Sequence, residues 1–547
     1  MVPAHGTLLA ALSPATRPFP ANLSRKGPML VRILSSTLWG IDAIPVEVET
    51  DISQGLPSYT IVGLPGSPVR ESADRIRAAI RNSGLPFPGR KVTINLAPAD
   101  IRKDSALLDL PIALSILCAE GAIPGDALAK YLVAGELSLD GALKPVRGVL
   151  SQGILARRLG LAGIMVPSAN GAEALLVPEI DVIPAATLRD AVSAFSGDGT
   201  PRAREAPEPV SAATAETGLS DLRDVVGQPV ARRALEISAA GNHALLLAGP
   251  PGCGKTMLAE RMPGILPDFE EGEALETARV YSASGEPPWP HILSRRPFRA
   301  PHHSITQAGL IGGGNPPRPG EITYAHGGVL FLDEFSEFRP EAREALRQPL
   351  ESGEIRIARA GNVYCFPCRF LLVAATNTCP CGNSGHPKKI CRCSPRLLSR
   401  FSGKFSGPLL DRIDLSVSVL PMAGHDWCGP GEGEASAAVR ARVKKCREAQ
   451  ERRYAGKPCR TNGTARAPFS GLVALFSPDA RTFLTRAADR LGFSGRALGK
   501  ICRVARTIAD LAGEQTVALP HVAEAVQHRL PDFALHGGKK TAGQGRG

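Results

Sequence analysis

Apolar and polar positions follow two periods along this chain, and the dominant period changes by region. Leu30-Val31-Arg32-Ile33 and Val46-Glu47-Val48-Glu49 alternate residue by residue, the spacing of a half-buried strand whose side chains face opposite ways in turn. Tyr59–Gly63 and Lys91–Leu96 read as further strands, 68–83 as an amphipathic helix and Asp109–Ala119 as an apolar helix. Together they predict an α+β domain over residues 29–195. Residues 196–219 are Gly, Pro, Ala, Ser, Thr and charge with almost no large apolar side chain, which is linker composition. From 220 to 425, apolar runs such as Ala244–Ala248, Val329–Leu332 and Phe370–Ala375 alternate with helical patterns. Apolar strands separated by helices predict a parallel sheet covered on both faces. Residues 426–535 read as helical, with a long basic helix from Ala435 to Arg453 and others near 478–491, 495–512 and 519–528. Residues 1–28 and 536–547 lack periodicity and read as a disordered extension and a disordered tail, with Met29 as an alternative start.

Composition adds three constraints. Hydrophobic residues make up 43% and charged residues 21% of the 547, enough apolar side chain for several cores. No uninterrupted apolar run reaches the roughly 18 residues of a membrane span. The apolar run Leu8–Leu12 has no basic segment before it, so no secretory signal is read and a cytoplasmic protein without membrane contact is expected. The net charge of +12 suits a partner that carries phosphates. The twelve cysteines are not spaced as a disulfide framework: six fall between Cys365 and Cys393, while Cys118 and Cys502 sit in apolar helical contexts and read as buried thiols.

The most specific signal is Gly249-Pro250-Pro251-Gly252-Cys253-Gly254-Lys255-Thr256. It fits G-x-x-x-x-G-K-S/T without a gap and lies between an apolar run and a helical pattern, the strand–loop–helix context of a P-loop. Glycines let the backbone curl until its N–H groups converge on phosphates, Lys255 brings a mobile positive charge, and Thr256 offers a hydroxyl to Mg²⁺. Val329–Leu332 ends in Asp333-Glu334, at the strand end where parallel sheets bind ligands. Asp333 is expected to hold Mg²⁺ and Glu334 to polarise the attacking water. Phe370–Ala375 leads to Thr376-Asn377; an amide there can sense a γ-phosphate, or simply make a turn. ATP and Mg²⁺ are the expected cofactors.

Further motifs carry a family resemblance. Asp224-Val-Val-Gly-Gln228, His302-His303, Gly312-Gly-Gly-Asn315, Pro319-Gly-Glu321, Ala325–Glu334, Leu346-Arg-Gln-Pro-Leu-Glu351, Ser406–Asp414 and Val504–Leu511 resemble the magnesium-chelatase-like AAA+ module. With Leu96-Ala-Pro-Ala-Asp100 and Asp109–Leu114, the chain is similar to the YifB/ComM family from residue 29 to about residue 535. The resemblance implies an α/β P-loop AAA+ module over 220–425 with a C-terminal helical lid over 426–535. It implies that Asn377 is the sensor-1 residue, that Arg412 is an arginine finger supplied to a neighbouring subunit, with Arg400 as runner-up, and that Arg496 is the sensor-2 arginine. It also implies a homo-hexamer that hydrolyses ATP to move DNA, as a helicase or in branch migration during recombination or transformation. The alternative is a chelatase-like ATPase that remodels a protein partner. Two alternating runs flank Ala360-Gly361-Asn362, predicting a hairpin whose Arg356 and Arg359 are candidate contacts to single-stranded or branched DNA. The basic helix between Arg440 and Arg453 is a second candidate surface, or a plain solvated face.

Residues 29–195 resemble the proteolytic domain of Lon, most clearly at Gly135–Gly148. That resemblance brings Leu150 to the catalytic-lysine column and Leu107 to the serine column, so a non-proteolytic domain is implied. Finally, Cys379-Pro-Cys381 and Cys391-Arg-Cys393 form two C-x-C pairs. They fit a structural Zn²⁺ site, reduced unliganded thiols or a redox pair; Cys365 and Cys368 are a nearby C-x-x-C expected to be buried.

Overall fold

The computed structural model describes residues 30–196, 220–286, 295–359, 361–405, 407–421, 433–457, 459–466 and 469–529. The expected extension 1–28, the linker from residue 197 onward and the tail 536–547 lie outside the described residues. The chain divides into two compact units, residues 1–207 and 208–547, each with its own apolar core.

In the first unit the strands are β1 (Val31–Trp39), β2 (Asp42–Ser53), β3 (Ser58–Val62), β4 (Lys91–Ala97), β5 (Tyr131–Val133), the short pair β6 (Glu136–Leu137) and β7 (Leu143–Lys144), β8 (Gly163–Pro167) and β9 (Asp181–Ala185). Seven of them form one mixed sheet in the order β3-β4-β2-β1-β5-β8-β9. β1 and β2 make a hairpin in which Trp39 faces Asp42, and Gly40, at φ +67°, takes the left-handed position its two-residue loop requires. The helix Asp109–Ala119 is buried at every residue from Asp109 to Cys118, as an all-round apolar helix must be. The single helix expected over 68–83 is instead two, Ser67–Arg70 and Ser72–Asn82. The Ser72 hydroxyl donates to Val69 O at 2.7 Å, a local bond that competes with the helical ladder at the junction. Leu107 and Leu150 are both buried in the apolar interior, and neither side chain can serve as nucleophile or base.

In the second unit the strands are β10 (Leu245–Ala248), β11 (Phe298–Arg299), β12 (Gly312–Gly314), β13 (Pro317–Pro319), β14 (Val329–Leu332), β15 (Glu354–Arg359), β16 (Asn362–Pro367), β17 (Leu371–Thr376) and β18 (Leu415–Ser418). Five form a sheet in the order β11-β14-β17-β10-β18, with every neighbour parallel. β10, β14 and β17 are buried throughout, which is why they read as unbroken apolar runs. Helices Ser436–Tyr454, Pro478–Leu491, Gly495–Ala512 and Leu519–Gln527 share this core, with Val439, Val443, Ile501, Val504 and Val522 packed into the same cluster as Leu245 and Leu247. Among the described residues no helix is long and apolar enough to cross a membrane.

The basic helix corrects an expectation. Arg440 donates to Gly264 O at 2.9 Å, Arg442 pairs with Glu236 and Glu434, Arg447 donates to Ala239 O at 2.6 Å, and Arg453 pairs with Asp510 at 2.7 Å. Four of its arginines thus tie the helix to its own unit, and Lys444, Lys445 and Arg452 are exposed and form no ion pair among the described residues. The basic face of Arg440–Arg453 is therefore only partly free: four of its arginines are matched by acids and carbonyls, most of them far away in the chain.

Candidate active site

Three strand ends meet at one edge of the five-stranded sheet. Ala248 pairs with Thr376, and Leu332 with Ala374, so Gly249 and Asn377 leave their strands in register and Asp333 leaves the next strand two residues earlier. The glycine loop then curls tightly. Gly252 and Gly254 have φ of +76° and +88°, and a Cβ on Gly249 would come within 2.1 Å of Val419 O. Gly254 precedes the helix Lys255–Glu260, whose N-terminal N–H groups face the loop and favour an anion.

Lys255 is buried, and its Nζ donates to Gly249 O at 2.8 Å, Pro250 O at 2.9 Å and Asn377 Oδ1 at 3.3 Å. The ammonium is held by neutral acceptors that a phosphate can replace. The Thr256 hydroxyl donates to Asp333 Oδ2 at 2.6 Å, and Asp333 Oδ1 accepts from the Glu334 N–H at 2.8 Å. A hydroxyl and a carboxylate side by side below the glycine loop form the oxygen set that a hard divalent cation takes, so Thr256 and Asp333 fit Mg²⁺, and the loop fits the phosphates of ATP.

Glu334 has φ +49°, a left-handed conformation that costs a non-glycine residue about 1 kcal/mol or more and persists where the surroundings impose it. Its carboxylate lies 3.1 Å from His303 Nδ1, and the His303 ring stacks against His302 with centroids 4.1 Å apart. The His302-His303 doublet is visible in the sequence as a motif, yet nothing in its spacing announces that it reaches Glu334 from a loop about thirty residues upstream. Glu321 of the Pro-Gly-Glu motif holds Arg299, at the end of β11, through two bonds of 2.7 Å.

Lys255, Thr256, Asp333, Glu334 and Asn377 are therefore assembled. The arginines are placed differently. Arg412 is paired with Glu351 and lines a cavity of about 540 Å³ with Gln307, Glu344, Arg347, Gln348 and Arg356. Arg400 is exposed in the last turn of the helix Pro395–Ser402. Arg496 is exposed in the first turn of Gly495–Ala512, beside the capping residue Ser494. Arg359 ends β15 next to the turn at Gly361, which has φ +80°. Arg356 sits three residues further from the tip and is paired with Glu354, so of the two only Arg359 lies at the tip as expected for both. One sulfur from each of Cys379, Cys381, Cys391 and Cys393 lies within 4.8 Å of the other three. Cys365 and Cys368 are not part of that group; Cys368 is buried as expected, and burial pushes its thiol up to about 12, whereas Cys365 is only half-buried.

A parallel sheet that delivers a glycine loop, a lysine, a carboxylate pair and an amide to one edge defines a P-loop nucleotide-binding module. Family models agree. "Magnesium chelatase, subunit ChlI" matches residues 221–426, "Subunit ChlI of Mg-chelatase" matches 48–170, and "Magnesium chelatase, subunit ChlI C-terminal" matches 433–529. Competence protein ComM of Haemophilus influenzae is 42% identical over 503 residues, covering 91% of this chain and 97% of that protein. The uncharacterized protein YifB of Escherichia coli is 41% identical over 498 residues, covering 91% and 96%. The magnesium-chelatase 38 kDa subunit of Rhodobacter capsulatus is 27% identical over 216 residues, covering 36% of this chain and 55% of that protein. The chain belongs to the YifB/ComM family of magnesium-chelatase-like AAA+ ATPases.

Proposed function

We propose that this protein is an ATP-hydrolysing ring motor, a homo-hexamer that acts on single-stranded or branched DNA in recombination or in the uptake of transforming DNA. The observation that carries the ATPase part is the Thr256–Asp333 hydrogen bond of 2.6 Å directly below the loop that Lys255 closes. Support for the DNA part comes from the competence protein that shares 42% of its residues, from the +12 charge and from Arg359 at the hairpin tip.

In this reading the loop N–H groups and Lys255 bind the β- and γ-phosphates, Lys255 giving up its carbonyl partners to do so. Thr256 and Asp333 would hold Mg²⁺, which would supply charge neutralisation at the phosphates. Glu334 accepts a proton from the attacking water, with His303 fixing the carboxylate and Asn377 orienting the water. Arg412 of an adjacent subunit, with Arg496 of the C-terminal helices acting as a lid, stabilises charge spread over the transferred phosphoryl oxygens.

ATP turnover measured without DNA and with single-stranded, duplex and four-way-junction DNA tests the proposal. Stimulation by the branched or single-stranded form is expected. No stimulation, and no binding at low salt with a non-hydrolysable ATP analogue, would move the protein to the second reading, a chelatase-like ATPase that remodels a protein partner. That reading draws on the 27% identity to the magnesium-chelatase 38 kDa subunit and on the internal pairing of the basic helix.

A further inference from the structure

Between Thr376, where β17 ends, and Pro395, where the next helix begins, residues 377–394 form no helix or strand. The segment brings little apolar surface of its own: Ile390 is 85% exposed, and most residues from 385 to 394 face solvent. A loop of this length without a core needs another source of order. Its four cysteines converge. Cys379 and Cys381 sulfurs are 3.4 Å apart, Cys381 and Cys391 are 3.6 Å apart, and Cys391 and Cys379 are 3.7 Å apart. A disulfide requires about 2.05 Å, so no pair is bonded. A tetrahedron with metal–sulfur bonds of about 2.3 Å has edges of about 3.8 Å, close to these separations. The Ser384 N–H also points at the Cys379 sulfur at 3.3 Å, the outer contact that thiolate ligands use. Four sulfurs with no oxygen or nitrogen among them select a soft or borderline cation in tetrahedral geometry.

The loop is also placed where it matters. Cys379 follows Asn377 by two residues, and Asn377 accepts from Lys255. Thr378 donates to Ser384 O at 2.7 Å, closing the first C-x-C turn on itself. Gly382 in that turn has φ +75°, and a Cβ there would lie 2.6 Å from Pro251 Cδ in the phosphate loop. The cysteine turn therefore rests directly against the glycine loop.

We infer that Cys379, Cys381, Cys391 and Cys393 bind one Zn²⁺, and that this ion fastens the loop carrying Asn377 against Pro251 of the phosphate loop. The fastening rests on the ATP-site reading above; the metal site does not.

The full chain, purified without chelator, is tested by elemental analysis and by mercurial titration with a zinc-sensitive dye. One zinc per chain is expected, released as the four thiols react, and Cys391→Ser combined with Cys393→Ser is expected to lose it. No stoichiometric zinc after incubation with excess metal, or undiminished zinc in the double variant, overturns the site. Should the double variant fail to fold, cobalt-exchanged wild-type protein decides. A tetrahedral thiolate spectrum supports the site, and an octahedral or absent one overturns it. For the fastening, Gly382→Val is expected to keep its zinc and bind a fluorescent ATP analogue more weakly. Unchanged nucleotide affinity in that variant overturns the fastening, whereas zinc-replete wild-type protein that binds no nucleotide overturns the ATP-site reading and leaves the metal site standing.

Discussion

Lys255 rests on two carbonyls of its own loop, so in the proposed mechanism nucleotide binding would be an exchange of acceptors rather than the capture of a loose side chain. A charge-assisted bond to phosphate is about twice as strong as one to a neutral oxygen, which sets the direction of the exchange. Lys255→Ala is expected to abolish nucleotide binding or hydrolysis while thermal unfolding still shows a cooperative fold; near-wild-type turnover would mean that the phosphates bind elsewhere. Glu334 is a different case: its backbone is left-handed and its carboxylate is held by His303, and the proposed mechanism gives it the attacking water rather than the phosphates. Glu334→Gln is expected to bind ATP normally and hydrolyse it about 10²–10⁴-fold more slowly, the usual cost of losing a general base. Equilibrium binding and turnover measured on one preparation separate the two effects, and a loss of ATP binding at saturating Mg²⁺ would remove Glu334 from this role.

At the scale of elements, the helix Gly495–Ala512 is joined to the strand layer by a buried polar cluster. Lys500 Nζ lies 2.7 Å from Asp414 Oδ1, Asp414 Oδ2 accepts from the Ala244 N–H at 3.2 Å, and His243 Nε2 meets Thr507 Oγ1 at 2.8 Å. Burial alone would push the Asp414 carboxyl up, but Lys500 and His243 together hold it far below the ordinary carboxylate value. A depressed carboxyl stabilises the fold above its unfolded value of 3.8 and loses that contribution as pH falls below it. Lys500→Met strands the carboxylate and is expected to cost about 3–5 kcal/mol. Asp414→Asn is expected to be less stable than wild type near neutral pH and to lose less on acidification to about pH 3; urea midpoints at the two pH values check both the size and the sign. At the β15–β16 hairpin, Arg359 stands at the turn while Arg356 is paired with Glu354. Arg359→Ala is therefore expected to lower DNA-stimulated turnover more than Arg356→Ala does, and to reduce the slope of log affinity against log salt by about 0.9 on duplex. Equal effects would point to a surface that reads both. These elements were unevenly legible in the sequence. β10, β14 and β17 were plain because strands buried on both faces leave an unbroken apolar signature, and the glycine loop because a phosphate cradle tolerates few residue types. The fate of Arg440–Arg453 was not, because its partners Glu236, Gly264 and Asp510 lie many residues away and local periodicity carries no record of them. His303 was hidden for the same reason, since only the fold brings it to Glu334.

At the scale of the whole molecule, an arginine finger works on a neighbour's nucleotide, so its loss can be complemented. Arg412→Ala is expected to block hydrolysis in assembled protein, as Lys255→Ala does. Mixtures of the two are expected to regain activity at interfaces where an intact Arg412 meets an intact Lys255. Turnover across a titration of mixing ratios checks this, and a flat line at the parental level would favour Arg400 or an action within one subunit. Within its own subunit, Arg412 lies against Glu351. A guanidinium paired with a carboxylate is drawn away by a stronger anion, and in the proposed assembly the γ-phosphate of a neighbour's ATP would be such an anion. In the proposed ring, each subunit would hold its finger against Glu351 until the neighbour's ATP draws it. If the proposed ring forms, assembly without nucleotide would leave it closed but silent, with Glu351 setting the threshold at which each finger is released.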